Sequence, residues 1–544
     1  MANSSVQPTA NAPPAQVKDM DEALLARIGY KQELKREFRP LEIFAVCFNA
    51  MGIVPTIASV LFDSIPYGGP AAMVWGWVTV FPFILCIALG IAELASANPT
   101  SGGLYYWTHA LSPPECRNFM SWMVGYANTI GNCTGMAAAE WALAIQVMAA
   151  ASMATGGAFV ATQLQTFAVF IAAALLHGMV CTLGTKVLAR LQHVIILIGV
   201  LLSVLVIIVL PVVTPTELRN PPSYVFGGFI NISGWPSGFA FCLSFLAPLW
   251  TIAGFDSSVH MSEEASNAAT VVPWAALSSV VSGFILGLAV NISLAFSMGP
   301  STDAVVNSPF GQPMAQIFFA SLGQRAGLGL WVLLIVSQFS VCASFLLVVS
   351  RQVFAFARDG ALPFSRYVYS TGYGRCKMPG SMGDGVPVMA VWMVVAVAAL
   401  LGLLSFAGAQ AINAVFGMAI VALYIAFSGP IAARVLAARR GLDEAARFRP
   451  GPFNLGSWGV PIDLVALTFM VCMIIIFLFP ASPSTTAANM NYAVVVLGVT
   501  FALVVGWYYC PVYGGVHWFR GPVANVNTAF DSLQENETKE QPEP

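Results

Sequence analysis

Residues 250–273 read WTIAGFDSSVHMSEEASNAATVVP, and the fold follows from how this stretch sits in the chain. It continues the apolar run FAFCLSFLAPLW (239–250), reaches Gly254, and sets the carboxylate of Asp256 at membrane depth. A charged side chain at the bilayer centre costs at least ~2.5 kcal/mol, so an ionisable residue there marks function by default. Gly254 before Asp256, and Ser257 and Ser258 after it, weaken the helix. Non-helical backbone inside a bilayer is tolerated only where protein buries it or where it lines a cavity. The stretch therefore reads as a membrane helix broken around a ligand.

The surrounding composition agrees. Of 544 residues, 58% are hydrophobic and 9% charged, more apolar surface than a soluble fold can hide. The class is an all-α polytopic membrane protein, with the lipid bilayer as its solvent. A formal net charge of −2 gives no handle for nucleic acid, and none is expected as a partner. The ten cysteines are scattered singly, with no CxxC pair, so neither a disulfide framework nor a zinc site is read from them. No GxSxG, HExxH or P-loop motif appears, and the reading includes no catalytic residue, metal or cofactor. The first forty residues lack the apolar stretch of a cleavable signal peptide.

Twelve spans are predicted, near 41–62, 71–96, 119–148, 163–184, 191–213, 238–260, 273–298, 328–357, 386–405, 410–436, 459–480 and 490–511. Each offers the ~20 residues that a crossing helix needs. The expected organisation is an N-terminal tail (1–40), a ten-span transport core (41–436), spans 11 and 12 with their preceding loop (437–511), and a C-terminal tail (512–544). The polar stretch NSSVQPTANAPPAQ and the acidic end QENETKEQPEP are expected to be disordered. The charged segment DEALLARIGYKQELKREFRP (21–40) reads as a short surface helix. With the N-terminus inside, every Lys and Arg except Arg219 and Arg325 falls on the inner side. The positive-inside rule therefore places both termini in the cytoplasm.

Span 1 carries a second interruption, FNAMGIVPTIAS, in which Asn49, Gly52 and Pro55 fall within seven residues. Spans 1 and 6 each open a group of five. Paired interruptions at corresponding places point to a transporter built from inverted repeats with its site at the midplane. Span 3 adds a polar and small stripe of Gly125, Asn128, Asn132, Gly135 and Ala139, and span 8 one of Ser337, Ser340, Ser344 and Arg351. Such stripes turn one helix face toward protein or water, and small-residue stripes commonly serve as packing seams.

Four motifs now carry a resemblance: NAMGIVPTIAS (49–59), ELASANPTSGGLYYW (93–107), WTIAGFDSSVHMSEEASNAATVVPWA (250–275) and SRQVFAFARDGALPFS (350–365). In these the chain resembles the amino acid/polyamine/organocation superfamily, and within it the fungal amino acid and choline transporter family that includes GABA permeases. The resemblance implies an alternating-access secondary transporter with a five-plus-five inverted-repeat (LeuT-like) core. Residue by residue, it implies substrate contacts at Ala50, Met51, Gly52 and Ile53 in span 1 and at Ala253, Gly254, Phe255, Asp256 and Ser257 in span 6. Spans 3, 8 and 10 flank the substrate, with Asn128 as the span 3 contact, and Trp250 stands where related exchangers keep a lid aromatic. It also implies proton coupling, through Asp256 or another carboxylate. Span 5 has no lysine between Leu191 and Val213, where some proton-coupled relatives carry one. Ser340 and Ser344 lie one turn apart rather than adjacent as in sodium-coupled members.

The chemistry of broken helices suits a small amine-bearing solute independently of any family. A half-helix beginning near Gly52 offers free N–H groups to a carboxylate, and one ending near Gly254 offers carbonyls to an ammonium. Asp256 is expected to pair with an amine or to take up a proton. Trp250 and Phe255 would suit a quaternary ammonium, which keeps choline, and with it polyamines, beside GABA and other amino acids as alternatives. A transporter-like nutrient receptor is a more distant one. Glu263 and Glu264 are expected to cap or pair with Arg351 or Arg358 as an inner gate, and Glu93 to pack or cap there. Glu140 reads as structural, and His177, His193 and His260 as lone packing histidines. The plasma membrane is the expected location, with the vacuolar membrane as the alternative.

Overall fold

The computed structural model describes residues 14–183, 185–369, 386–439, 448–486 and 490–525. Most of the two tails expected to be disordered, together with Arg375, Lys377, Arg440 and Arg447 of the charge count, lie outside these residues.

Among the described residues, eleven helices are long and apolar enough to cross a membrane. They are Pro40–Asp63, Gly69–Ala97, Arg117–Ala154, Gln163–Cys181, Thr185–Val213, Ser237–His260, Ala268–Ser297, Pro313–Arg358, Val388–Ala407, Ala411–Ala438 and Gly456–Ile476, spans 1 to 11 in order. Span 12, Ala493–Tyr508, is apolar but has 16 residues. The sequence pattern runs longer because Asn491 starts the helix from outside, its side chain bonded to the carbonyls of Phe477 and Phe479. The protein is an all-α polytopic membrane protein whose only paired strands among the described residues are Tyr67–Gly68 and Ile230–Asn231.

Span 3 packs along spans 8 and 10, span 7 along span 2, and spans 1 and 6 lie among them. Spans 4 and 5 bury least of their length inside the protein and expose Leu176, Leu197 and Ile208. Apolar side chains can stay exposed at such places because lipid is as apolar as a core. The described ends of the chain share one face, here called the terminal face; the loops holding Tyr67, Gln312 and Asn491 form the distal face.

The segment expected as a surface helix is only partly one. A helix runs Pro14–Arg27, and Gly29, at φ 95°, ends it. Residues 30–38 then run non-helically beneath the bundle, with Tyr30, Leu34 and Phe38 buried. At the end of this stretch the Phe38 backbone pairs with a distant segment: its N–H donates to Glu264 O (3.2 Å), and its carbonyl accepts from Ser266 N–H (3.1 Å).

Candidate substrate site and gate

Both interrupted spans are broken where the sequence places the breaks. Span 1 is two helices, Pro40–Met51 and Ile53–Val60, joined at Gly52, which lies at φ 52°, ψ 66°. The first turn of the second half leaves the N–H groups of Ile53 and Val54 without an intrahelical acceptor, while Thr56 Oγ1 satisfies the freed Met51 carbonyl (2.7 Å). Span 6 passes from Leu246–Thr251 through a 3-10 turn at Ala253–Asp256 to Ser257–His260. The two breaks abut: Cys47 Sγ lies 3.7 Å from the Phe255 carbonyl, and a Cβ added at Gly254 would sit 3.2 Å from Ala50 and Met51 atoms.

Gly52 is required on two counts. A left-handed conformation costs an L-residue about 1–2 kcal/mol, and a Cβ here would lie 2.1 Å from a methyl of Val341. Gly52→Ala is therefore expected to lower the melting temperature in detergent and abolish uptake. Adding Val341→Ala should restore part of the stability by removing the overlap but not the strain. Wild-type melting of the single variant would contradict this.

Above the breaks lies a cavity of about 720 Å³, within the ~300–1,000 Å³ of small-molecule sites. It is lined by Ala50, Met51, Trp250, Ala253, Gly254 and Asp256 and extends past Asp63 and Tyr67 to Gln312 and Asn491 on the distal face. Gly52, Ile53, Phe255 and Ser257 are not in its wall; Phe255 is buried against Phe427, ring centroids 5.5 Å apart. Asn128 is also behind the wall. Its carbonyl and side-chain oxygens accept from Asn132, which does line the cavity, and its amide approaches His260 Nε2 at 3.4 Å. Among the lining residues the charged ones are Asp63 and Asp256, both acidic.

Asp256 is 5% exposed, and its Oδ2 has no hydrogen-bond partner; His260 Nε2 stands 3.7 Å away. His260 Nδ1 lies 2.9 Å from the Ser101 carbonyl. His260 is thus part of a polar chain rather than a lone packing histidine, and the i,i+4 spacing from Asp256 was the available signal. His177 likewise has a partner, Glu140, whereas His193 is half exposed, 4.0 Å from Glu42. On span 8, Ser344 donates to Gln192 Oε1 (3.0 Å), which also receives Asn49 Nδ2 (2.7 Å), and Ser340 bonds its own helix at Val336.

Toward the terminal face two buried ion pairs join the residues after span 6 to span 8. Glu264 meets Arg351 at 2.6 Å, and Glu263 takes a two-pronged contact from Arg358 at 2.8 and 2.9 Å. The Ser101 N–H and the Thr100 hydroxyl also donate to Glu263. Burial acts to raise the Glu263 carboxyl, but Arg358 and these donors together hold it below its ordinary value. The N-terminal segment packs beside these pairs. Arg358 stacks on the Tyr30 ring at 4.1 Å, and the hydroxyls of Tyr30 and Tyr105 donate to Asp359 at 2.9 and 2.6 Å. Asp21 accepts from the N–H groups of Asn267 and Ala268 at the start of span 7. Nothing in the sequence pattern linked these N-terminal residues to the ion pairs. Glu93 belongs to a separate cluster, in which Arg434 bridges it (2.7 Å) to Asp463 (3.0 Å) and so ties spans 2, 10 and 11.

Comparison with known proteins identifies this architecture. A family model described as amino acid permease matches residues 38–501. The chain belongs to the amino acid permease family. It is 36% identical to an uncharacterised amino-acid permease of Schizosaccharomyces pombe, over 93% of this chain and 90% of that one. It is 35% identical to the GABA-specific permease of Saccharomyces cerevisiae, over 93% and 86% of the two chains. Identity to amino-acid permease 2 of Neurospora crassa is 32%, over 97% and 94%. The protein is a membrane transporter for a small amino-acid solute, not an enzyme.

Proposed function

We propose that this permease carries a small zwitterionic amino acid, of which GABA is the first candidate, by proton-coupled alternating access. The observation that carries the reading is the cavity floor. Two abutting helix breaks there put Ala50, Met51, Gly254 and Asp256 in the wall, with Asp256 Oδ2 lacking a hydrogen bond and the start of the second half of span 1 directly behind them. The helix start suits the carboxylate of the solute and Asp256 suits its ammonium. Choline is the weaker candidate, since Phe255 is committed to Phe427 and Trp250 is the aromatic of that pair left in the wall. The name of the Saccharomyces relative supports GABA. Proton coupling is supported by two buried carboxylate–imidazole contacts, Asp256 with His260 and Glu140 with His177. The span 8 hydroxyls are already engaged by Gln192 and Val336.

On this reading the terminal face is cytoplasmic, which the lysine and arginine distribution supports, and the cavity is open to the outside with its inner gate closed. The plasma membrane is the proposed location, and imaging of the tagged protein decides between it and the vacuole. Reconstituted protein is expected to accumulate labelled GABA or another amino acid when the outside is made acidic. Failure to accumulate any of GABA, other amino acids, choline or putrescine under any gradient would overturn the proposal.

A further inference from the structure

Glu140 of span 3 and His177 of span 4 lie outside the cavity wall, and both are fully buried. His177 Nδ1 lies 2.7 Å from Glu140 Oε1, and Nε2 lies 2.9 Å from the Phe339 carbonyl of span 8. These contacts fix the proton inventory. A carbonyl oxygen only accepts, so Nε2 carries hydrogen. The other ring nitrogen of a neutral imidazole then presents a lone pair, and so does a carboxylate oxygen. At 2.7 Å the two attract only with a proton between them. The pair therefore holds one dissociable proton and is neutral overall, whichever partner carries it. Loss of that proton would leave a net negative charge in an apolar interior with two lone pairs opposed.

The surroundings make this proton conditional on the arrangement of three helices. Span 3 supplies the carboxylate, span 4 the imidazole and span 8 the carbonyl that sets the tautomer, so relative movement of span 8 alters what the pair can hold. The pair is also close to the solute path. Gln338, which lines the cavity, donates to the carbonyl of Ala139, the residue before Glu140 (3.1 Å). Glu140 Oε2 and Gln338 Oε1 are both buried without hydrogen-bond partners. In an ionised Glu140 that Oε2 would be a buried acceptor without a donor. Among the described residues, the titratable groups that interact with Glu140 besides His177 are Cys181 on span 4 and Cys342 on span 8, and Cys181 also interacts with Arg351. Span 9, packed on span 4, carries no ionisable side chain.

We propose that the Glu140–His177 pair is the site of the coupling proton. It is loaded while the cavity is open to the distal face and released when span 8 shifts, leaving Asp256 free to pair with the solute amine. The assignment rests on the reading of the protein as a proton-coupled permease.

The test uses the full chain in proteoliposomes, with labelled GABA as probe. Two readouts are compared: accumulation driven by an imposed pH gradient, and solute exchange at equal pH. Glu140→Gln and His177→Asn should each reduce driven accumulation about tenfold or more while exchange stays within about threefold of wild type. If Glu140→Gln does not fold, His177→Asn, which keeps a donor, carries the test. Undiminished driven accumulation in the folded variants overturns the proposal. Loss of exchange in step with accumulation would show a structural pin and also overturns it. Wild-type accumulation that ignores the pH gradient would instead refute proton coupling itself, and this assignment with it.

Discussion

Gly254→Leu is expected to give a folded permease that no longer binds its solute. The reason is the closeness of the two breaks. A single Cβ at Gly254 already meets the Ala50 carbonyl carbon, the Ala50 Cβ and the Met51 nitrogen at 3.2 Å, tighter than ordinary contact. An isobutyl group must therefore part the breaks or project into the cavity beside Asp256, and either outcome removes the surface on which carboxylate and ammonium would be held. Gly254 has ordinary right-handed backbone, so the substitution adds no strain of its own, unlike Gly52. Loss of a site that recognises both charged ends should weaken binding by about 100-fold or more, the equivalent of roughly 3 kcal/mol. Gly254→Ala should fall between, because neighbours need give only a few tenths of an ångström. Equilibrium binding of labelled solute in detergent, with the melting curve as a check on folding, decides the matter. Wild-type affinity in a well-folded leucine variant would remove the site from this cleft.

The large features of the fold were legible because they depend on local sequence. Span positions follow from runs of apolar residues, and both breaks follow from glycine and proline at mid-membrane, as Gly52 and Gly254 show. What the sequence did not disclose were contacts between residues far apart in the chain. Asn132 rather than Asn128 reaches the cavity wall because the rotation of span 3 is set by its packing on spans 8 and 10. Phe255 turns to Phe427, a partner 172 positions away, and leaves Trp250 in the wall. The histidines show the same limit. A lone histidine on an apolar helix has no visible partner when that partner, such as Glu140 for His177, lies on another helix. The charged segment 21–40 is helical only to Arg27, because the partners of Phe38 near its end, the Glu264 carbonyl and the Ser266 N–H, lie more than 220 positions away.

Arg351→Met should be the most damaging single change at the terminal face. Arg351 and Glu264 are both fully buried and meet at 2.6 Å. Removing one partner of such a pair strands the other as an uncompensated buried charge, at a cost of roughly 3–5 kcal/mol. On the proposed alternating-access reading the penalty falls on the closed arrangement of the inner gate, because water reaching Glu264 relieves it. The variant is therefore expected to melt lower and to favour the arrangement with that gate open, a shift of about two orders of magnitude for 3 kcal/mol. Replacing both partners, as in Arg351→Met with Glu264→Leu, removes the stranded charge and should recover most of the stability, since apolar side chains of similar volume often replace a buried pair at little cost. It should not recover normal transport, because a permanently apolar seal lacks a charge pair that can part into water. The neighbouring pair behaves differently with pH. Glu263 is held below its ordinary value in the folded state, so its contribution is present above the ordinary carboxylate range and is lost only as pH falls through the depressed value. Melting of the wild type should therefore change little on mild acidification through this pair, and Glu263→Gln should remove that acid-side loss. If the double replacement melts as low as Arg351→Met alone, the instability lies in packing rather than in the stranded carboxylate, and the gate argument fails.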